Sequence, residues 1–297
     1  LCKRQCWERL WNAKEGKKMI SVVGLGSCGC NIAQKFSAYP QYKTYYIDTG
    51  GQYSGHKVAT LPELNTPEEY EAKCPEMSSF FEDIDDDVLF IIGGSGHISG
   101  ASLRLLSYLQ DKNISILYIK PDVEFVSKTK KLIENCTFHI LQEFARSGVF
   151  KRLYLFENSS LEKIIGDLTI TNFYDKINDY LVPIVHMINV FDNTEPVMTS
   201  FSSAGNSSRI CTLGVVDIKS GEEKTLFPLD NVKEKKYYFG VNRETLKSDA
   251  SLLREIKDYI RTTSQEAQSS FSIYETTYDH NFAYVVCFSP QIQTKNN

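Results

Sequence analysis

The chain has 297 residues, of which 42% are hydrophobic and 24% charged, the balance of a water-soluble globular protein with a sizeable core. Its 33 basic and 37 acidic side chains leave a net charge of -4, which offers no electrostatic footprint for sequence-independent binding of nucleic acid. No apolar run approaches the ~20 residues that cross a bilayer, so a membrane span is not expected. Residues 1–18 are charged and aromatic, without the apolar core of a signal peptide or an initiator Met. They read as an N-terminal extension upstream of Met19, with a short amphipathic helix as the alternative.

From Met19 onward, strand-like runs at Ile20–Gly24, Thr44–Asp48, Val88–Ile92, Ile114–Ile119 and Leu153–Phe156 alternate with helical patterns. The helices are expected at Asn31–Ala38, around Pro67–Glu82, and at Ala101–Gln110, Ser127–Glu134 and Leu161–Asp167. Alternation of this kind predicts an α/β fold, a mostly parallel sheet covered on both faces, with ligands at the C-terminal strand ends. A longer helix over Thr171–Val190 carries one apolar stripe, Phe173, Ile177, Tyr180, Leu181, Ile184, Val185 and Ile188, and a kink is expected at Pro183. After a Ser/Gly/Asn-rich loop at Thr199–Ser208, strands at Arg209–Ile218, Lys235–Val241, Ser270–Thr277 and Phe282–Phe288 and a helix near Leu252–Thr262 predict a smaller α+β domain. Asp279-His280-Asn281 reads as the turn of a terminal hairpin.

Two glycine-rich loops carry the chemistry. Gly24-Leu25-Gly26-Ser27-Cys28-Gly29-Cys30-Asn31 and Gly93-Gly94-Ser95-Gly96-His97-Ile98-Ser99-Gly100 each link a strand to a helix. Such loops turn backbone N–H groups toward an anion at a helix N-terminus, and two of them suit a ligand with several phosphates. Alone, Gly24-x-Gly26-x-x-Gly29 with Asp48 at the next strand end also fits a dinucleotide fingerprint, in which Asp48 would hold a ribose hydroxyl of NAD in an oxidoreductase. That reading leaves the second loop without a purpose.

Eight cysteines without paired CxxC blocks read as reduced thiols of a cytoplasmic protein, with no metal site expected. His139 and His186 lie in apolar contexts and read as packed histidines. Lys128, Lys130 and Lys131 read as a solvated helix face, and Asp83-Ile84-Asp85-Asp86-Asp87 as a solvated turn.

In order along the chain, these motifs resemble the tubulin/FtsZ superfamily. Val22 to Phe36 is similar to its first phosphate loop, written GGGGGNA in bacteria and QCGNQIG in tubulin. Asp48-Thr49-Gly50-Gly51-Gln52 resembles the second loop, NTDAQ, and Gly94 to Gly100 stands in the place of GGGTG(S/T)G, with His97 for threonine and Ile98 for a glycine. Lys120-Pro121 matches the TKP of the ribose loop, and Asn158 stands where the family has PND. Tyr174 and Asn178, spaced i, i+4 on the long helix, fall where the family stacks on and reads guanine.

The resemblance implies a Rossmann-like GTP-binding domain over 19–170, a central helix and loop over 171–198, and a C-terminal α+β domain over 199–297. GTP or GDP would be held by Gly24, Gly26, Ser27, Cys28, Gly29, Asn31, Asp48, Gly94, Ser95, Gly96, His97, Ser99, Gly100, Pro121, Glu124, Asn158, Tyr174 and Asn178, with Mg2+ held mainly by nucleotide and water. It also implies head-to-tail filaments whose hydrolytic acids come from the neighbouring subunit. One alignment offers Asp192 and Glu195 for these; another pairs Thr194-Glu195-Pro196 with a family TRP and leaves only Met198 to Ser203 where acids belong. A third loop, expected within His56–Pro67, contains no glycine, so a blunted response to GTP versus GDP, or a non-hydrolysing scaffold, is the alternative. Only Pro290 to Asn297 follow the last strand, so a filament that positions DNA, plasmid or phage cargo through an adaptor is expected over a division ring.

Overall fold

The computed structural model describes residues 19–122, 126–202, 208–218 and 220–294. The N-terminal extension, Glu124 and part of the Ser/Gly/Asn-rich loop lie outside the described residues. The chain divides into two compact units, one of residues 18–182 with 292–297 and one containing residues 183–291.

In the first unit β1 (Ile20–Leu25), β2 (Tyr42–Asp48), β3 (Lys57–Thr60), β4 (Asp87–Gly93), β5 (Asn113–Lys120) and β6 (Arg152–Glu157) lie in the order β3-β2-β1-β4-β5-β6. Every pairing is parallel. The fully buried runs of β1 and β4 fit this, because a parallel sheet loses both faces to helices and needs apolar side chains on each. The helices between strands are α1 (Gly26–Phe36), α2 (Pro67–Ala72), α3 (Ser78–Phe81), α4 (Ser102–Ser107), α5 (Lys128–Arg146) and α6 (Asn158–Ile165). A 3₁₀ turn, His97–Ala101, precedes α4. The strand order reverses direction between β1 and β4, and this switch point brings the two glycine loops side by side: Leu25 pairs with Ile92 where the strands end.

The acidic run is not a free solvated turn. Lys57 pairs with Asp83 at 2.7 Å, Lys43 with Asp85 at 3.3 Å, and Lys112 with Asp86 at 3.2 Å. Lys57 and His56 hold the Asp83 carboxyl well below its ordinary range. These lysines begin or precede neighbouring strands, so the pairs gather at the N-terminal strand ends, opposite the glycine loops.

Helix α7 (Phe173–Asp192) runs unbroken through Pro183, without the irregular turn expected there. Leu181, Val182, Ile184 and Val185 are all at most 4% exposed, and burying them outweighs the one N–H that proline cannot donate. Among the described residues, no helix is long and apolar enough to cross a membrane.

In the second unit β7 (Met198–Thr199), β8 (Ile210–Val216), β9 (Glu223–Thr225), β10 (Glu234–Asn242), β11 (Gln268–Thr276) and β12 (Phe282–Ser289) form the order β8-β12-β10-β11-β7, with β9 on β8. The terminal hairpin is therefore corrected. β10 lies between β11 and β12, parallel to the first and antiparallel to the second. A crossover through α8 (Arg243–Ser248) and α9 (Leu252–Thr263) carries the chain from β10 to β11, and Leu252, Ile256 and Ile260 bury one face of α9 on Tyr237, Phe239 and Phe271.

Asn242 locks the strap that crosses the end of β10. Its N–H donates to Asn281 Oδ1 at 2.9 Å and its amide donates to the Tyr278 carbonyl. Its side-chain Oδ1 accepts from Glu244 N–H at 2.8 Å, capping α8. We predict that Asn242→Ala lowers stability by about 1–2 kcal/mol, the cost of a lost helix cap, read from urea unfolding; a change within ~0.3 kcal/mol would show that the strap holds without it.

Candidate functional site: a cavity at the switch point

β1 runs straight into α1 with no linker. The N-cap residue Leu25 has no side chain able to accept a hydrogen bond, and the first turn holds no acid. The opening N–H groups of this 11-residue helix thus face outward without a side-chain cap, the arrangement that attracts an anion. Gly26 makes the bend at φ +68°, and a Cβ there would stand 2.7 Å from Ile98 Cγ2 in the second loop. Gly26→Ala must therefore carry both a left-handed backbone and a clash. We predict a stability loss of about 1–3 kcal/mol, read by thermal melting, and an unshifted melt would count against this account of the loop.

The second loop is pressed onto the sheet. A Cβ on Gly94 would collide with the Tyr118 hydroxyl, and Gly94 N–H donates to the Ile119 carbonyl at 3.1 Å. Tyr118 donates to the buried Glu134 carboxylate at 3.3 Å, and burial raises its own pKa well above the ordinary phenol value. Ser95 and Gly96 lie outside the strand and the 3₁₀ turn, and their N–H groups make no hydrogen bond among the described residues.

Between the two loops lies a cavity of about 350 Å³. Of the residues expected to bind nucleotide, it is lined by Gly26, Ser27, Cys28, Asn31, Gly94, Ser95, Gly96, Pro121, Asn158, Tyr174 and Asn178. Leu25, Gly93 and Ile98, which belong to the two glycine loops, and Ile119, near the end of β5, complete the described wall. No described lining side chain carries a charge. Cys28 is exposed on the cavity wall. Cys30, buried behind the loop, donates to the Gly24 carbonyl at 3.3 Å, and burial pushes it up to about 12.

Three side chains give the far end its character. Asn158 and Asn178 are each 8% exposed as residues, and both line the cavity, where their carboxamides are open to a ligand or to water. Tyr174, one turn before Asn178, is 67% exposed, and its ring meets that of Phe173 edge to face at 5.2 Å. Lys35 of α1 pairs with Asp179 at 2.8 Å and Asp175 at 3.3 Å, which aligns the start of α7 with α1.

The other expected residues lie elsewhere. Asp48 does not line the cavity; its carboxylate accepts from Tyr53 Oη and Thr49 N–H, both at 2.8 Å. Gly24 and Gly29 serve close packing, since a Cβ on Gly24 would stand 2.6 Å from the Gly29 carbonyl oxygen. His97, Ser99 and Gly100 line a second cavity of about 410 Å³ against α2 and α5, because the 3₁₀ turn rotates them away from the first. Asp192 and Glu195 belong to the other unit, where Asp192 accepts from Tyr238 Oη at 2.9 Å. Glu124 lies outside the described residues. Among the described residues no three His, Cys, Asp or Glu side chains gather around a metal position.

No family model matches the chain, and no curated protein does. Solved structures do. The FtsZ dimer of M. jannaschii aligns at TM-score 0.70 and 15% identity over 98% of this chain and 93% of that one. A GTPγS-form protofilament of Bacillus thuringiensis serovar israelensis TubZ aligns at TM-score 0.68 and 13% identity, over 96% and 89%. CetZ from Methanosaeta thermophila gives TM-score 0.68 and 16% identity, over 92% and 86%. The chain thus has a tubulin/FtsZ-like fold, an α/β architecture similar to FtsZ, TubZ and CetZ across nearly its whole length.

Proposed function

We propose that the cavity binds guanosine di- and triphosphates and that the chain assembles head to tail into filaments. The carrying observation is that two carboxamides, Asn158 and Asn178, line the same cavity as an uncapped helix N-terminus. Tyr174 would stack on the base, and the Asn178 amide oxygen would accept from the guanine N1–H and N2–H donors. Asn158 and Pro121 would face the ribose, with the first turn of α1 and the amides of Ser95 and Gly96 on the phosphates. With no charged described side chain on the wall, Mg2+ held by nucleotide and water supplies the positive charge that the phosphates require.

Similarity to protofilament structures supports self-association. In a filament the exposed Asp192 and Glu195 of one subunit would polarise water at the nucleotide of the next. The engagement of Asp192 with Tyr238 favours a second reading, a filament that binds nucleotide without hydrolysing it. Positioning of DNA or phage cargo through an adaptor is proposed on the family resemblance alone. Light scattering beside phosphate release tests the whole: GTP raises both, and release per subunit climbs with protein concentration. Scattering without release selects the non-hydrolysing filament, and no guanosine nucleotide binding at millimolar concentration defeats the proposal.

A further inference from the structure

We propose that the second cavity binds an amphipathic amine, an apolar body carrying one ammonium group, and that amine and nucleotide bind cooperatively across the turn their cavities share. The amine site stands on its own geometry; only the coupling rests on the guanosine-nucleotide reading above. The cavity lies within the first unit, among α2, the 3₁₀ turn, α4 and α5. Its volume, about 410 Å³ against about 350 Å³ for the first, suits a small molecule. Leu103, Ile133 and Leu141 give it an apolar wall, and Leu132, Cys136 and Ile140 stand exposed at every fourth position of α5, on one helix face. Glu68 and Glu71, three residues apart on α2, add two exposed carboxylates to the lining, and neither has an ion pair among the described residues. No described lining residue is Lys or Arg.

An anion would meet only like charge here, and a neutral molecule would leave both carboxylates without a charged partner. An ammonium group gains charge-assisted hydrogen bonds to them while its apolar body covers alkyl surface that water now reaches. Ser102, 4% exposed as a residue, lines the same wall with its hydroxyl open to a ligand or to water. The link to the first cavity is direct. Gly96 and Ile98 line the first cavity, while His97, Ser99 and Gly100 line the second, so one turn presents opposite sides to the two ligands. The turn is held from the amine side. A Cβ on Gly100 would stand 2.0 Å from the Pro67 carbonyl oxygen at the start of α2, and Ser99 Oγ lies 3.1 Å from Thr137 Oγ1 of α5. A ligand wedged between α2 and α5 fixes this turn and with it the Ser95-Gly96 amides, and its positive charge favours a polyanion on the other side. Both effects have the same sign, so each ligand should tighten the other by the same factor, about fivefold.

NMR titration of the full chain with 4-phenylbutylamine, beside the uncharged isostere 4-phenylbutanol, tests the site. The amine is expected to bind about tenfold tighter than the alcohol, and Glu68→Gln with Glu71→Gln should erase that difference. Iodoacetamide labelling, read peptide by peptide, locates the ligand: the amine should slow alkylation of Cys136 on the cavity wall and not of Cys74 outside it. Cys136→Trp, which fills the opening from an exposed helix position, should abolish amine binding. Thermal melts identify a variant that fails to fold, and the other then carries the test beside the labelling. Equal wild-type affinities for amine and alcohol, or Cys136 alkylation that the amine leaves unslowed, overturn the amine site. Saturating amine should tighten binding of GDP with Mg2+ about fivefold. Amine binding with an unchanged GDP affinity overturns the coupling alone. Failure of GDP to bind in either condition overturns the guanosine reading, and the coupling with it, while the amine site stands.

Discussion

Asn178→Leu is expected to weaken GDP and GTP binding by about 10- to 100-fold while leaving the fold at least as stable. Asn178 is 8% exposed as a residue and lines the cavity, so an apolar side chain of similar volume keeps its packing in α7. The same change deletes hydrogen bonds to the base edge, and about 1.5–3 kcal/mol lost there corresponds to the stated range. Tyr174→Ala should cost about tenfold through lost stacking, with little effect on stability because the ring is largely exposed. Calorimetric titration with GDP beside thermal melting of the free protein reads both quantities. An Asn178→Leu affinity within ~3-fold of wild type would remove the residue from the binding site.

The stability of the unit containing residues 183–291 should fall by about 2 kcal/mol between pH 7 and pH 5 on account of a single imidazole. His186 is 2% exposed, and burial lowers its pKa from 6.5 to about 3. In that interval the unfolded chain takes up a proton that the folded chain refuses. Stability is thus fully present above the unfolded value and is lost as pH falls toward the folded one, at about 1.4 kcal/mol per pH unit. Urea unfolding at both pH values, for the wild type and for His186→Leu, isolates this from carboxylate titration. The variant should lose about 2 kcal/mol less than the wild type on acidification. Equal losses in the two proteins would show that the ring is protonated in the folded state.

Legibility in the sequence followed how local each signal is. Val22 and Val23 ahead of Gly24, or Phe90 and Ile91 ahead of Gly93, mark buried parallel strands entering glycine loops. Those strands form within a residue or two of the expected limits. The i, i+4 spacing of Tyr174 and Asn178 likewise puts both on one wall of the cavity. Short elements were missed where no period can develop: β3 has only Lys57–Thr60 and α8 only Arg243–Ser248. The hairpin expected around His280 failed because a turn motif reports a change of direction, not the strand that ends up alongside.

The sequence by itself determined the alternation of strand and helix, the place of both glycine loops at strand ends, and most of the residues around the cavity. All of these depend on periodicity and backbone freedom within a few positions. Only the tertiary structure decided that β10 separates β11 from β12, that Asp48 spends its carboxylate on Tyr53, and that Ile98 turns inward while His97 and Ser99 face a second cavity. Those outcomes depend on which distant surfaces compete for the same side chain, and packing settles that competition only once the whole chain is in place.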